Sequence, residues 1–178
     1  MKKTTSLLIA VLTFAFSFDG TNAYALGGGK SEPELKTVKT LDFQRYTGLW
    51  YEIAGLPNRF QKQCVGDVTA QYALDDDGDV TVVNRCRTED GETDEAEGIA
   101  WRPDENEPAK LKVRFFWPFS GKYWVTELGR SYEYAVVSEP KRKYLWILCR
   151  TPELDPVVVS GILNRLEKNR FDLKSLIV

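Results

Sequence analysis

The residues able to do covalent chemistry in this chain are few, and the most versatile of them is missing. None of the 178 residues is a histidine. That removes Ser–His and Cys–His nucleophile pairs, the commonest general base, and histidine-held metals or haem. Three cysteines remain, Cys64, Cys86 and Cys149. In an exported chain three cysteines imply one disulfide and one leftover thiol, with three pairings open. Asp75-Asp76-Asp77-Gly78-Asp79 has the carboxylate density of a calcium loop but lacks the later bidentate Glu, so it reads as a hairpin turn. No Gly-rich phosphate loop, C-x-x-C pair or metal-ligand spacing occurs, and no cofactor is implied.

The first 25 residues read as a cleaved secretory signal peptide. Lys2 and Lys3 precede an apolar run from Ser6 to Phe18, and Ala23-Tyr24-Ala25 offers the cleavage site. The apolar run falls short of the ~20 residues a spanning helix needs. The first cysteine is Cys64, so a lipid anchor on a mature N-terminal cysteine is not expected. The short, compact leader looks bacterial, which implies the periplasm or the medium. Removing 25 of 178 residues leaves 153, enough for one domain with a sizeable core. Without Lys2, Lys3 and Asp19 there remain 22 basic and 25 acidic residues, a net charge of −3. No basic excess favours nucleic acid or anionic lipid. Residues 26–37, with three consecutive glycines from Gly27, are expected to form a flexible arm ahead of a single domain at 38–178.

Strand signals dominate that domain. Trp50 to Ala54, Val65 to Leu74, Val80 to Arg87, Thr93 to Trp101, Leu111 to Phe116, Tyr123 to Glu127, Tyr134 to Ser138 and Tyr144 to Cys149 are separated by turn residues. One helix is expected after Asp155 as N-cap, with Pro156 at its first position. Val158, Ile162, Leu163 and Leu166 form its apolar stripe. A last short strand is expected within Phe171 to Val178. Short hairpins in linear order favour an all-β fold, an eight-stranded antiparallel up-and-down barrel with one C-terminal helix outside it. Eight strands leave room for packed side chains or for one small ligand.

Two segments about 100 residues apart carry a resemblance. Phe43, Tyr46, Gly48, Trp50, Tyr51 and Glu52 stand at the first strand, and Arg150 closes the last. This pattern resembles the lipocalin family, above all its bacterial outer-membrane lipoprotein type and its apolipoprotein D-like members. Lys110 to Phe119 also resembles the bacterial branch. The family's usual Asp at the sixth-to-seventh strand turn is absent, although Tyr132 matches its aromatic. The resemblance implies a barrel floor closed by Arg150 packed on Trp50 beside Gly48, a cation–π contact of about 1–2 kcal/mol when desolvated.

It also fixes which side chains face inward, because strand side chains alternate. With Trp50 inside, Glu52 and Ala54 follow on the first strand. Val68, Ala70 and Tyr72 follow on the second; Val80, Val82 and Asn84 on the third. Leu111, Val113 and Phe115 come from the fifth, and Tyr123, Val125 and Glu127 from the sixth. Ala135 and Val137 belong to the seventh; Tyr144, Trp146 and Leu148 to the eighth. Of these, Ala54, Val68, Ala70, Tyr72, Val82, Asn84, Val113, Phe115, Tyr123, Val125, Val137, Tyr144 and Trp146 are expected to line a cavity. Glu52 and Glu127 are expected near the floor, paired with Arg150 or a tyrosine.

The same parity favours a Cys64–Cys86 disulfide across the second hairpin. A register centred on Asp76 sets Cys86 opposite Gly66, and a bulge there would bring Cys64 near. Closing that segment is worth about 3 kcal/mol on a chain-entropy argument. Cys149 is then the free thiol, facing outward. The expected function is an exported carrier of a small apolar ligand of the fatty acid or lysophospholipid class, monomeric or weakly dimeric, with transient membrane contact. Two alternatives remain. One is a thiol-dependent isomerase using Cys64 at the barrel mouth, as some lipocalins do. The other is an interaction module built on the loop from Gly55 to Phe60, marked by exposed Phe60 and Trp117.

Overall fold

Eight antiparallel strands close on themselves in sequence order in a computed structural model that describes residues 33–178. They are β1 (Gly48–Gly55), β2 (Gly66–Leu74), β3 (Val80–Arg87), β4 (Thr93–Trp101), β5 (Lys110–Phe116), β6 (Phe119–Leu128), β7 (Tyr134–Ser138) and β8 (Leu145–Cys149). Closure by β1 against β8 removes both sheet edges. A short helix, α1 (Phe43–Tyr46), precedes β1, and α2 (Pro156–Lys168) follows β8. The expected signal peptide and most of the expected arm lie outside the described residues. Of the arm, residues 33–37 are described, and Leu35 is buried against the outer core.

Alternation splits the apolar residues into two clusters. One fills the lower barrel around Trp50, Tyr46, Tyr72, Val125 and Leu148. The other lies outside the sheet, where Val136, Leu145 and Ile147 meet Ile162 and Leu166 of α2. Asp155 caps α2 by accepting from the Val157 N–H at 2.7 Å, with Pro156 at the first position. The expected last strand is reduced to one bridge, Gly55 to Ile177, because Phe171 turns into the outer core and leaves a single residue to pair.

The β2–β3 hairpin is centred on Asp77 rather than Asp76. Leu74 pairs with Val80, and the 75–79 turn closes on the Asp75 N–H donating to the Asp79 carbonyl at 2.8 Å. Gly78 takes φ +89° there, a conformation that glycine alone adopts freely. The register slips between Gly66 and Thr69, so Gly66 faces Arg87, not Cys86. That slip lets Cys64 reach Cys86 from the preceding loop, and the two form a disulfide with Cα atoms 5.5 Å apart. Cys64 therefore offers no thiolate, which removes the basis for the isomerase alternative. Cys149 is free and buried, its Sγ 3.4 Å from the Thr151 hydroxyl. The native protein should resist alkylation and yield one labelled cysteine, Cys149, on denaturation. Mass mapping of the labelled peptides checks this.

Candidate functional site

The strand directions give the barrel a floor and a mouth. β1 begins at the floor, beside α1 and the β6–β7 turn, and ends at the mouth with the β1–β2 loop. At the floor Trp50 is completely buried, and the Arg150 guanidinium lies 3.8 Å above its ring centre. Among the described residues Arg150 meets no carboxylate. Its Nη1 donates to the Leu49 carbonyl at 3.0 Å, its Nη2 to the Arg45 and Tyr46 carbonyls at 2.6 and 3.2 Å, and its Nε to the Tyr132 carbonyl at 3.4 Å. Burial lowers its affinity for its proton, while the nearby Tyr46 and Tyr72 act the other way. Gly48 sits at φ +97°, and a Cβ there would come within 3.2 Å of Arg150 Nη1. Tyr132 keeps a floor role without the family's Asp. Its hydroxyl accepts from the Asp42 N–H at 3.0 Å, and Arg45 stacks on its ring at 4.1 Å.

Above the floor the wall changes character. Tyr123 sits at mid-depth, its hydroxyl 2.7 Å from that of Tyr46 and 3.0 Å from that of Tyr72. Desolvation holds all three neutral: Tyr46 and Tyr123 are pushed well above the usual phenol range and Tyr72 to about 12. Tyr123 nonetheless retains accessible surface, as do Asn84, Val113, Phe115 and Trp146. Accessible surface on these inward-facing side chains makes the upper lumen, the cup, a candidate site. Gly98 makes room for one wall, since a Cβ there would lie 2.7 Å from the Phe115 ring. Ala70, Tyr72 and Val82 are buried within the inner cluster, and Val125 and Val137 are wholly enclosed, shaping the cup from behind. Val68 is half-buried near the mouth, outside both clusters. Tyr144 precedes β8 and stacks on Trp146 at 5.8 Å, with the tilted Phe60 ring 5.7 Å from it.

Two inward assignments are corrected. A bulge between Glu52 and Ala54 sets Ala54 opposite Ile147, so Ala54 lies in the outer cluster under α2, not in the cup. A second bulge between Val125 and Glu127 turns Glu127 outward, where Arg165 of α2 forks onto it with both Nε contacts at 3.0 Å and the Tyr134 hydroxyl donates at 2.7 Å. Glu52 does face inward, but its partner is neither Arg150 nor a tyrosine. The Gln61 amide donates to it at 2.6 Å, and the Trp146 indole donates to the same Gln61 at 3.0 Å. Burial raises the Glu52 carboxyl above the usual range, and the Gln61 hydrogen bond opposes this. Gln61 was not foreseen, because a polar loop residue gives no periodic signal. Its nearness to Cys64 was the one available clue.

A recess of about 660 Å³ lies outside the barrel, between α2 and the β6–β7 turn. Its charged lining is largely engaged, Glu127 with Arg165 and Glu133 with the Ser131 N–H. The cup is therefore the stronger candidate.

An eight-stranded up-and-down barrel, closed below by an Arg-on-Trp plug and open above, defines the class of calyx-shaped β-barrel proteins. The family model described as "Lipocalin-like domain" matches residues 41–178, and the chain belongs to the lipocalin family. It is 41% identical over 144 residues to the outer membrane lipoprotein Blc of Escherichia coli strain K12, covering 80% of this chain and 81% of that protein. It is 34% identical over 182 residues to apolipoprotein D of Macaca fascicularis, covering 97% and 92%. Among solved structures, insecticyanin from the tobacco hornworm Manduca sexta superposes with a TM-score of 0.66 at 25% identity, covering 82% and 83%. Lipocalins bind small hydrophobic ligands.

The floor generates a prediction. Trp50→Ala should destabilise the protein by about 3–5 kcal/mol, as removal of a buried aromatic does. Arg150→Ala should also destabilise. Denaturant melts check both, and neither variant should change which ligand the remaining folded protein prefers.

Proposed function

We infer that this protein is an exported carrier of a single-chain lipid or similarly slender apolar molecule, held in the barrel cup. The reading rests on one observation. The inward face combines accessible Val113, Phe115, Tyr123 and Trp146 in a barrel whose floor is sealed. Apolar wall area excludes water, and a few polar groups fix orientation, the usual composition of a ligand pocket. The name of one relative, apolipoprotein D, agrees with a lipid as partner. The leader expected from the sequence and the disulfide support an address in the periplasm or the medium. A fluorescent fatty acid should bind saturably at about one per barrel and quench Trp146. Val82→Trp or Val113→Trp should abolish that uptake by filling the cup. Saturable binding that survives both would put the site elsewhere.

A second reading adds to the first. Phe116, Trp117 and Phe119 are 74%, 81% and 77% exposed, and all stand at the mouth with Phe60. Aromatic side chains in a wet surface patch favour a membrane interface, which would let cargo pass between bilayer and cup. The wild-type protein should co-sediment with neutral phospholipid vesicles, and Trp117→Ser with Phe119→Ser should lose most of that association while keeping fatty acid uptake.

A further inference from the structure

We propose that Tyr123, held by Tyr46 and Tyr72, is the point at which the cup recognises a neutral oxygen, a ketone or hydroxyl, on its ligand. This rests on the cup being the ligand site and names the ligand's polar group.

Hydrogen counting carries the argument. Three phenols bring three O–H protons. Among the described residues they share two hydrogen bonds, Tyr46 to Tyr123 and Tyr72 to Tyr123. Each bond uses one proton, so one is left over whichever way the chain is oriented. Leaving a buried donor unused costs free energy, which a ligand acceptor would recover. Tyr46 and Tyr72 are buried, with 3% and 5% exposure, and of the three only Tyr123 keeps accessible surface. When both outer phenols donate to Tyr123, its own proton is free to point at the ligand. Tyr123 then accepts two bonds and donates one, which fills its capacity.

The surroundings select a neutral oxygen over an anion. Arg150 is the nearby cation, but it lies behind the Trp50 ring and is already committed to four backbone carbonyls. Glu52 is the other charged group acting on this cluster, and its influence on Tyr72 is that of a negative charge. A carboxylate at Tyr123 would find no free cation in Arg150, while Glu52 acts on the adjoining Tyr72 as a negative charge. A carbonyl or hydroxyl meets no such opposition. The phenols stay neutral through burial, so the donor persists across the physiological pH range.

The test uses the full mature protein and four probes. Diphenylhexatriene is a fluorescent hydrocarbon with no oxygen, and 2-dodecanone, 1-dodecanol and dodecanoate are scored by displacing it. Wild-type protein should bind the hydrocarbon saturably and prefer the ketone and alcohol to the carboxylate at neutral pH. In Tyr123→Phe the ratio of ketone to hydrocarbon affinity should fall by about two- to tenfold, the equivalent of one net hydrogen bond. The infrared carbonyl band of bound 2-dodecanone should sit at lower frequency in the wild type than in Tyr123→Phe. A band position identical in both proteins, or an unchanged ratio, overturns the assignment of Tyr123. Tighter binding of dodecanoate than of the ketone overturns the neutral-oxygen selection. Failure of the wild type to take up the hydrocarbon at all would instead overturn the cup as the ligand site.

Discussion

The rest of the structure depends on the contact between Arg150 and Trp50. An up-and-down barrel has one non-local seam, here β1 against β8, and every other strand pair is a sequence-local hairpin. Arg150 ties that seam to two further segments through carbonyls of α1, β1 and the β6–β7 turn. The cation is partly buried with no carboxylate partner among the described residues, and its donors are instead satisfied by carbonyls and a π face. The indole supplies the face, and its own N–H donates to the Tyr46 carbonyl at 2.8 Å. Gly48 is required because its backbone takes a left-handed φ at a point where the guanidinium leaves little room. Sealing the floor gives the lumen one opening, and that makes a cup of what would otherwise be a packed core.

Closing a sheet into a barrel bends its strands, and the bends are made by bulges. Register slips occur in β1–β8, β2–β3, β5–β6 and β6–β7. Each slip exchanges the faces of the strand beyond it. In β1 the exchange delivers Ala54 to α2, where a small residue lets the helix approach Ile147 and Val136. In β6 it delivers Glu127 to Arg165, so α2, packed on the barrel's flank, is also tied by an ion pair. The bulges thus serve the outer core as well as the curvature.

Much of this was legible in the residues. Turn signals located all eight strands, because Gly, Pro and Asp punctuate a meander regularly. Asp155-Pro156 located α2 for a similarly local reason. The floor was legible through the family resemblance carried by Gly48, Trp50 and Arg150, and the structure places the Arg150 guanidinium on the Trp50 ring. Alternation placed Tyr72, Val113, Tyr123 and Trp146 correctly but failed at Ala54 and Glu127. A bulge is set by tertiary curvature and leaves no mark in a short stretch of sequence. β6 also begins at Phe119, four residues before the expected Tyr123, because the tight turn at Trp117-Pro118 lets pairing resume at once. Gln61 escaped notice for the opposite reason: its position is dictated by the loop that the disulfide anchors, not by any strand.

The polar groups of the lumen show how a barrel can carry inward-facing donors and acceptors within a stable fold. A cavity lined with unpaired donors and acceptors would be filled by tightly held water. Here the inward polar groups bond mainly to one another. Glu52, Gln61 and Trp146 form one set near the mouth, and the three tyrosines form another at mid-depth. Between and around them the wall is Val82, Val113 and Phe115. That wall presents few unpaired polar groups to hold water strongly. The first set has a second consequence, because Gln61 belongs to the β1–β2 loop that Cys64 ties to β3. The loop is fixed at both its covalent and its hydrogen-bonded ends, so the width of the opening on that side is set by the fold itself. The opposite side of the mouth, from Phe116 to Phe119, has no such internal anchor and leaves its aromatic surface to solvent.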